Sequence, residues 1–140
     1  MKLLSLTSII ILILTFTFLS CSRPRGYDIS TYFGKYRGTT TQKITINGQT
    51  TTQPYDMVID ISAGDYPQEI EILLGSWLTR ATLNGEKFTI QATFFPAFDP
   101  SQAIHTSGEG LFMDNKVIIH YIQEAIGFST TDYSGTLIKF

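Results

Sequence analysis

From Gly34 to Phe140 apolar residues recur at every second position, and short turn pairs interrupt the pattern at intervals. That period belongs to a half-buried β-strand, whose successive side chains point to opposite faces. Thr, Ile, Phe and Tyr dominate the region, and no window of helical length carries a helical stripe. The alternation predicts eight strands, near 34–46, 49–62, 67–74, 78–83, 86–95, 104–113, 116–124 and 131–140.

Three turns set expected pairings. Asn84-Gly85 tolerates positive φ at both positions, the signature of a tight hairpin. It predicts Leu83 opposite Glu86, Ala81 opposite Phe88 and Thr79 opposite Ile90, with Ala81, Leu83, Phe88 and Ile90 on one face. The turn at Ala63-Gly64-Asp65-Tyr66 sets Ile59 against Ile70, Met57 against Ile72 and Asp60 against Glu69. Asp114-Asn115 places Val117, Ile119 and Tyr121 opposite Phe112, Gly110 and Gly108, where the glycines leave room for bulk in a narrow interior.

Long antiparallel strands with one polar face would leave exposed edges in an open sheet, and closure removes them. The expected fold is therefore an all-β, eight-stranded antiparallel up-and-down barrel. Such a barrel is just wide enough to be filled by side chains or to hold one small ligand. Alternation along the meander sends the tight turns at 63–66, 84–85 and 114–115 to one end. The turn after Ile46, Gly75-Ser76-Trp77, the Pro96–Ala103 loop and Ala125–Thr130 go to the other. Trp77, Phe98, Ile126 and Phe128 thus gather at a loop-rich mouth and form the candidate ligand-binding set, since pockets favour barrel mouths and aromatic walls.

The first residues read as an address. Met1-Lys2 is a charged start, Leu3 to Ser20 carries no charge, Ile9 to Leu14 is wholly apolar, and small Ser20 precedes Cys21. This is the layout of a secretory signal, expected over 1–20. Residues 21–31 then form the modified cysteine and a tether, and 32–140 the barrel domain. With Lys2 assigned to the leader, the remaining bases face 12 acids, so the rest is net acidic. A nucleic-acid partner needs a basic face and is excluded on that ground. Cys21 is the one cysteine, which rules out an intrachain disulfide and a cysteine-based metal site.

Phe18-Leu19-Ser20-Cys21 resembles the lipobox of bacterial lipoproteins, which implies a diacylglyceryl thioether on Cys21 and membrane attachment through that lipid. Ser22 after the cysteine, by the same resemblance, implies transfer to the outer membrane. Gly34-Lys35-Tyr36, Ser107-Gly108-Glu109-Gly110-Leu111-Phe112, Asn115-Lys116-Val117 and Tyr133-Ser134-Gly135-Thr136 occur in an order that resembles the calycin-like, lipocalin-like lipoproteins of Gram-negative bacteria. Gly34-Lys35-Tyr36 is similar to the lipocalin Gly-x-Trp of the first strand, with Lys139 the nearest basic residue on the last. The resemblance implies a fold and a cell-envelope compartment, not a ligand; no cofactor is expected.

Two polar groupings invite chemistry. Asp60 and Glu69, with Glu71 and Asp56 on the same face, are the residue types of an oxygen-ligand cation site or, in a metal-dependent enzyme, its centre; otherwise they form a solvated acidic face. Glu109 and His120 should lie opposite each other as an acid–base pair or a surface pair, and no nucleophile accompanies them. His105 stands at a loop edge without a ligand partner. The expected function is thus non-enzymatic: an envelope lipoprotein binding a small apolar molecule or envelope component at its mouth. The alternative is a filled barrel contacting a protein partner through Leu111, Ile118 and Ile122 or its loop tips.

Overall fold

The computed structural model describes residues 28–95 and 104–140. Eight strands follow one another: β1 (Gly34–Ile46), β2 (Gln49–Ala63), β3 (Glu69–Leu74), β4 (Trp77–Asn84), β5 (Lys87–Phe95), β6 (Ile104–Met113), β7 (Lys116–Ala125) and β8 (Ser129–Lys139). Each pairs antiparallel with the next, and β8 pairs back onto β1, so the sheet is a closed up-and-down barrel.

Pairing follows the expected parity more faithfully than the expected register. The Asp114-Asn115 hairpin matches throughout: Phe112 faces Val117, Gly110 faces Ile119 and Gly108 faces Tyr121. The β4–β5 hairpin is displaced by two residues, with Asn84 opposite Lys87, Leu83 opposite Phe88 and Ala81 opposite Ile90. Gly85 takes φ 65° and no other residue of that loop has positive φ. A turn with positive φ at its first central position starts at Gly85 and leaves Asn84 in the strand. The β2–β3 connection is displaced by four. Ala63 faces Ile70, Ile61 faces Ile72 and Ile59 faces Leu74, because the loop is longer than a four-residue turn. It is closed by Gly64 N–H donating to Glu69 O (2.9 Å) and Glu69 N–H donating to Tyr66 O (2.9 Å). Both displacements are even, so every core residue keeps its face.

The lower half of the barrel, at the end of the tight turns, is solid. Tyr36, Ile59, Ile72, Phe88, Phe112 and Ile119 are each at most 1% exposed. Burial of side chains this size stabilises by ~1.5–3 kcal/mol apiece. Two glycines make the packing feasible: a Cβ at Gly110 would overlap the Phe88 ring, and one at Gly108 would crowd Tyr121. Of the tether expected over 22–31, residues 22–27 lie outside the described residues, and the structure begins at Asp28. Ile29–Tyr32 form a 3-10 turn capped by Asp28, whose carboxylate accepts from the Ser30 amide and hydroxyl. These bonds, the hydroxyl's first, hold the Asp28 carboxyl below its ordinary value. The turn plugs the barrel end. Tyr32 stacks on Phe112 (4.0 Å, 8°) and accepts at its carbonyl from Tyr36 Oη (2.8 Å). Lys139 Nζ donates to Thr31 O (2.8 Å) and sits 5.9 Å from the Tyr36 ring centre, so the first and last strands are locked together beneath the plug.

Candidate functional site

The upper half of the wall is uneven in height. β1 and β2 run 13 and 15 residues, whereas β3 and β4 run 6 and 8 and turn back at Gly75-Ser76. β2 pairs with β3 only from Ile59 to Ala63, so its stretch from Gln49 to Val58 rises beyond the β3–β4 hairpin. The step is a notch in the barrel wall. Behind it lies a cavity of about 290 Å³ whose walls include Tyr55, Leu74, Trp77, Tyr121, Gln123 and Tyr133. That is the low end of the range for small-molecule pockets.

The interior changes character at this level. Below it the core is aliphatic and aromatic; at the cavity it is tyrosine, glutamine and threonine. Tyr121 and Tyr133 stack in parallel (4.6 Å between ring centres, 12°), and Tyr55 meets Tyr133 edge-on at 5.4 Å. Gln53 Nε2 donates to Gln42 Oε1 (2.8 Å), and Gln42 Nε2 donates to Tyr133 Oη (2.9 Å). Thr40 Oγ1 donates to Tyr55 O (3.0 Å). Buried polar groups are costly unless bonded, and this relay satisfies Gln42, which is 8% exposed.

Two groups stand outside it. Tyr121 is 4% exposed and lines the cavity, and its hydroxyl has no hydrogen-bond partner among the described residues. Thr106, opposite Gln123, is fully buried with Oγ1 unpaired. Burial, then the nearby Tyr133 and Tyr55 hydroxyls, push the Tyr121 phenol far above its ordinary value. Burial also raises Tyr133, opposed by the Gln42 bond. Tyr121 and Tyr133 are therefore neutral hydrogen-bond donors across the physiological range. Asp56, the charged residue of the cavity wall, accepts from Thr39 Oγ1 (2.7 Å).

The four expected mouth residues are not all brought together. Trp77 is in the cavity wall. Ile126 and Phe128 sit on the β7–β8 turn, 50% and 62% exposed, and Phe128 borders a separate shallow depression with Thr45 and Glu124. Phe98 and Cys21 lie outside the described residues. Tyr55, Tyr121, Tyr133 and Gln42 were not among the expected site residues. Their signal was present in the parity, which puts Tyr121 inside opposite a glycine, but an inward tyrosine reads equally well as filler.

Asp60 and Glu69 are not neighbours. The four-residue displacement pairs Asp60 with Leu73 and Lys35, and Glu69 with Thr82. Glu69 instead braces the β2–β3 loop, accepting from Asp65 N–H at 3.1 Å. Arg80 fills the role considered for a cation, reaching Asp65 at 2.7 Å and both Glu69 and Glu71 at 3.8 Å. Among the described residues no group of three or more His, Cys, Asp or Glu is arranged to hold a metal ion. Glu109 and His120 do face each other, but His120 Nε2 bonds Asp132 Oδ1 at 3.1 Å. They border a shallow outer groove of about 210 Å³ with Lys87, Leu111 and Ile118. No protein-family model matches the chain, and no curated protein matches it.

Proposed function

We propose that this protein is a lipid-anchored lipoprotein of the bacterial cell envelope, without enzymatic activity, whose barrel binds a small molecule at its open end. The single observation that carries the binding is the notch cavity: a solid barrel floor with a partly polar, aromatic-walled space above it, reached over the short β3–β4 hairpin. The reading of the leader supports the anchor, with Cys21 as the lipid site, and so does the resemblance to calycin-like lipoproteins. The charged start, uncharged segment and small residue before Cys21 have the order that lipid attachment requires. Several acyl chains, at ~0.8 kcal/mol per buried CH₂, make such an attachment effectively permanent. The plug would then face the membrane and the notch point away from it, since the chain enters β1 at the plugged end.

A second reading, a protein-binding barrel, draws support from the outer groove beside Ile118, which is 41% exposed. Crosslinking in intact cells separates the two. A specific protein adduct at Leu111 or Ile118 favours the second reading; no such adduct, with small-molecule binding lost in Trp77→Ala at unchanged folding, favours the first.

A further inference from the structure

The chemistry of the cavity narrows the ligand, given the small-molecule reading on which this step rests. We infer that the mouth takes an uncharged ring with hydrogen-bond acceptors on its rim, as a saccharide unit or a nucleobase offers, rather than a hydrocarbon chain.

Three observations lead there. The first is shape. The cavity floor is closed by Met57, Ile59 and Leu74, each at most 3% exposed, so no tunnel continues down the barrel for a long chain to follow. The walls hold flat aromatic surfaces in Tyr55, Trp77 and the parallel Tyr121–Tyr133 pair, against which a ring buries area at little entropic cost.

The second is unused donor capacity. The Tyr121 hydroxyl is at the wall of the cavity with no protein partner, and the Gln123 amide beside it also lacks one among the described residues. The Tyr133 hydroxyl accepts from Gln42 and keeps its own proton to give. A ligand without acceptors would leave these groups desolvated and unpaired, which binding sites penalise strongly. An acceptor-bearing rim satisfies them.

The third is charge. The one charged residue of the wall, Asp56, alternates with buried Met57 and bonds exposed Thr39, so its carboxylate is on the outer face of β2 and none faces the interior. Tyr121 and Tyr133 remain protonated. An ionic ligand would enter without a counter-charge, and burying an unpaired charge is expensive. A neutral ligand meets no such cost.

The test uses the emission of Trp77, the chain's one tryptophan, in the purified full-length protein. N,N′-diacetylchitobiose represents the saccharide source, adenosine the nucleobase source, and toluene an apolar ring without acceptors. Expected is a saturable change with at least one of the first two, and the identity of the responder names the source. Affinity for that probe should fall about tenfold in Tyr121→Phe, which removes one hydroxyl and no internal bond. Gln123→Met, a second variant that leaves both stacked rings in place, should weaken it similarly. A saturable response to toluene with none to the polar probes would overturn the ring-with-acceptors inference while sparing small-molecule binding. Equal affinity in both variants would also overturn it. No response to any of the three would overturn both.

Discussion

Gly108 lies directly across the β6–β7 ladder from Tyr121, and a Cβ at position 108 would come within 2.6 Å of the tyrosine's own Cα and Cβ. The flat seating of Tyr121, and with it the parallel Tyr133, depends on that missing methyl. Backbone atoms cannot swing aside as a long side chain does, so Gly108→Ala forces the two strands apart. We expect a loss of ~1–3 kcal/mol, the usual cost of overpacking, read from urea denaturation. The same substitution at Gly85 in the β4–β5 turn meets no neighbour within 4 Å and is strained only by its φ of 65°, so it should cost less.

Thr106 makes the opposite case. Its Oγ1 is buried and unpaired, and an unsatisfied buried polar group costs ~1–3 kcal/mol. Thr106→Val keeps the shape and removes that burden. The expected outcome is a melting temperature equal to or above wild type. A clear fall would mean that the hydroxyl has a partner in solution, an ordered water being the simplest.

Gln42 carries two bonds of the relay, to Gln53 and Tyr133. Gln42→Leu breaks both and leaves the Tyr133 hydroxyl without its donor. Stability should fall by ~1–3 kcal/mol, and Tyr133 should titrate higher still, because the bond that opposes the effect of burial is gone. Ultraviolet titration of the phenols reads the second effect independently of the first.

Alkaline pH should destabilise the barrel in a way traceable to Tyr121. In the unfolded chain its phenol ionises near the ordinary value of 10.0; in the fold it is held far higher by burial and by Tyr133 and Tyr55. Below pH 10 both states keep the proton and the group is silent. Above it the unfolded state releases a proton that the folded state retains, so stability declines with rising pH until the folded group ionises as well. The slope for this tyrosine alone is about 1.4 kcal/mol per pH unit. Denaturation curves between pH 9 and 11 should therefore fall less steeply in Tyr121→Phe than in wild type.

Much of this architecture is legible in the sequence, and the limits have a physical origin. Alternation specifies which face a side chain takes, so Ile59, Ile72, Phe88 and Ile119 are core residues under any even register. It does not specify the register itself, which depends on the loop. Gly85 alone adopting positive φ moved one hairpin by two, and the closure of the β2–β3 loop on Glu69 moved another by four. That second displacement separates Asp60 from Glu69 and dissolves the proposed acidic pair. In the mouth, Trp77 was recognisable by its place beside a turn. Tyr55, Tyr121 and Tyr133 were not, because an inward tyrosine looks the same whether the wall beside it continues or stops. The clue that decides is the difference in strand length between the first hairpin and the β3–β4 hairpin, which leaves the notch.

The anchor has its own test. Cys21→Ser removes the thiol that would carry the lipid. The variant should move from the membrane fraction to the soluble fraction, or remain as an uncleaved precursor, when cells are fractionated. Unchanged membrane association with normal processing would count against lipid on Cys21.

Native mass spectrometry of the full chain, purified from its own host, addresses the central claim most directly. A second population heavier by one small molecule is expected, lost on denaturation and depleted in Tyr121→Phe. Protein found only at its calculated, unliganded mass, in wild type and variant alike, would contradict a ligand-binding mouth and turn attention to the outer groove and a protein partner.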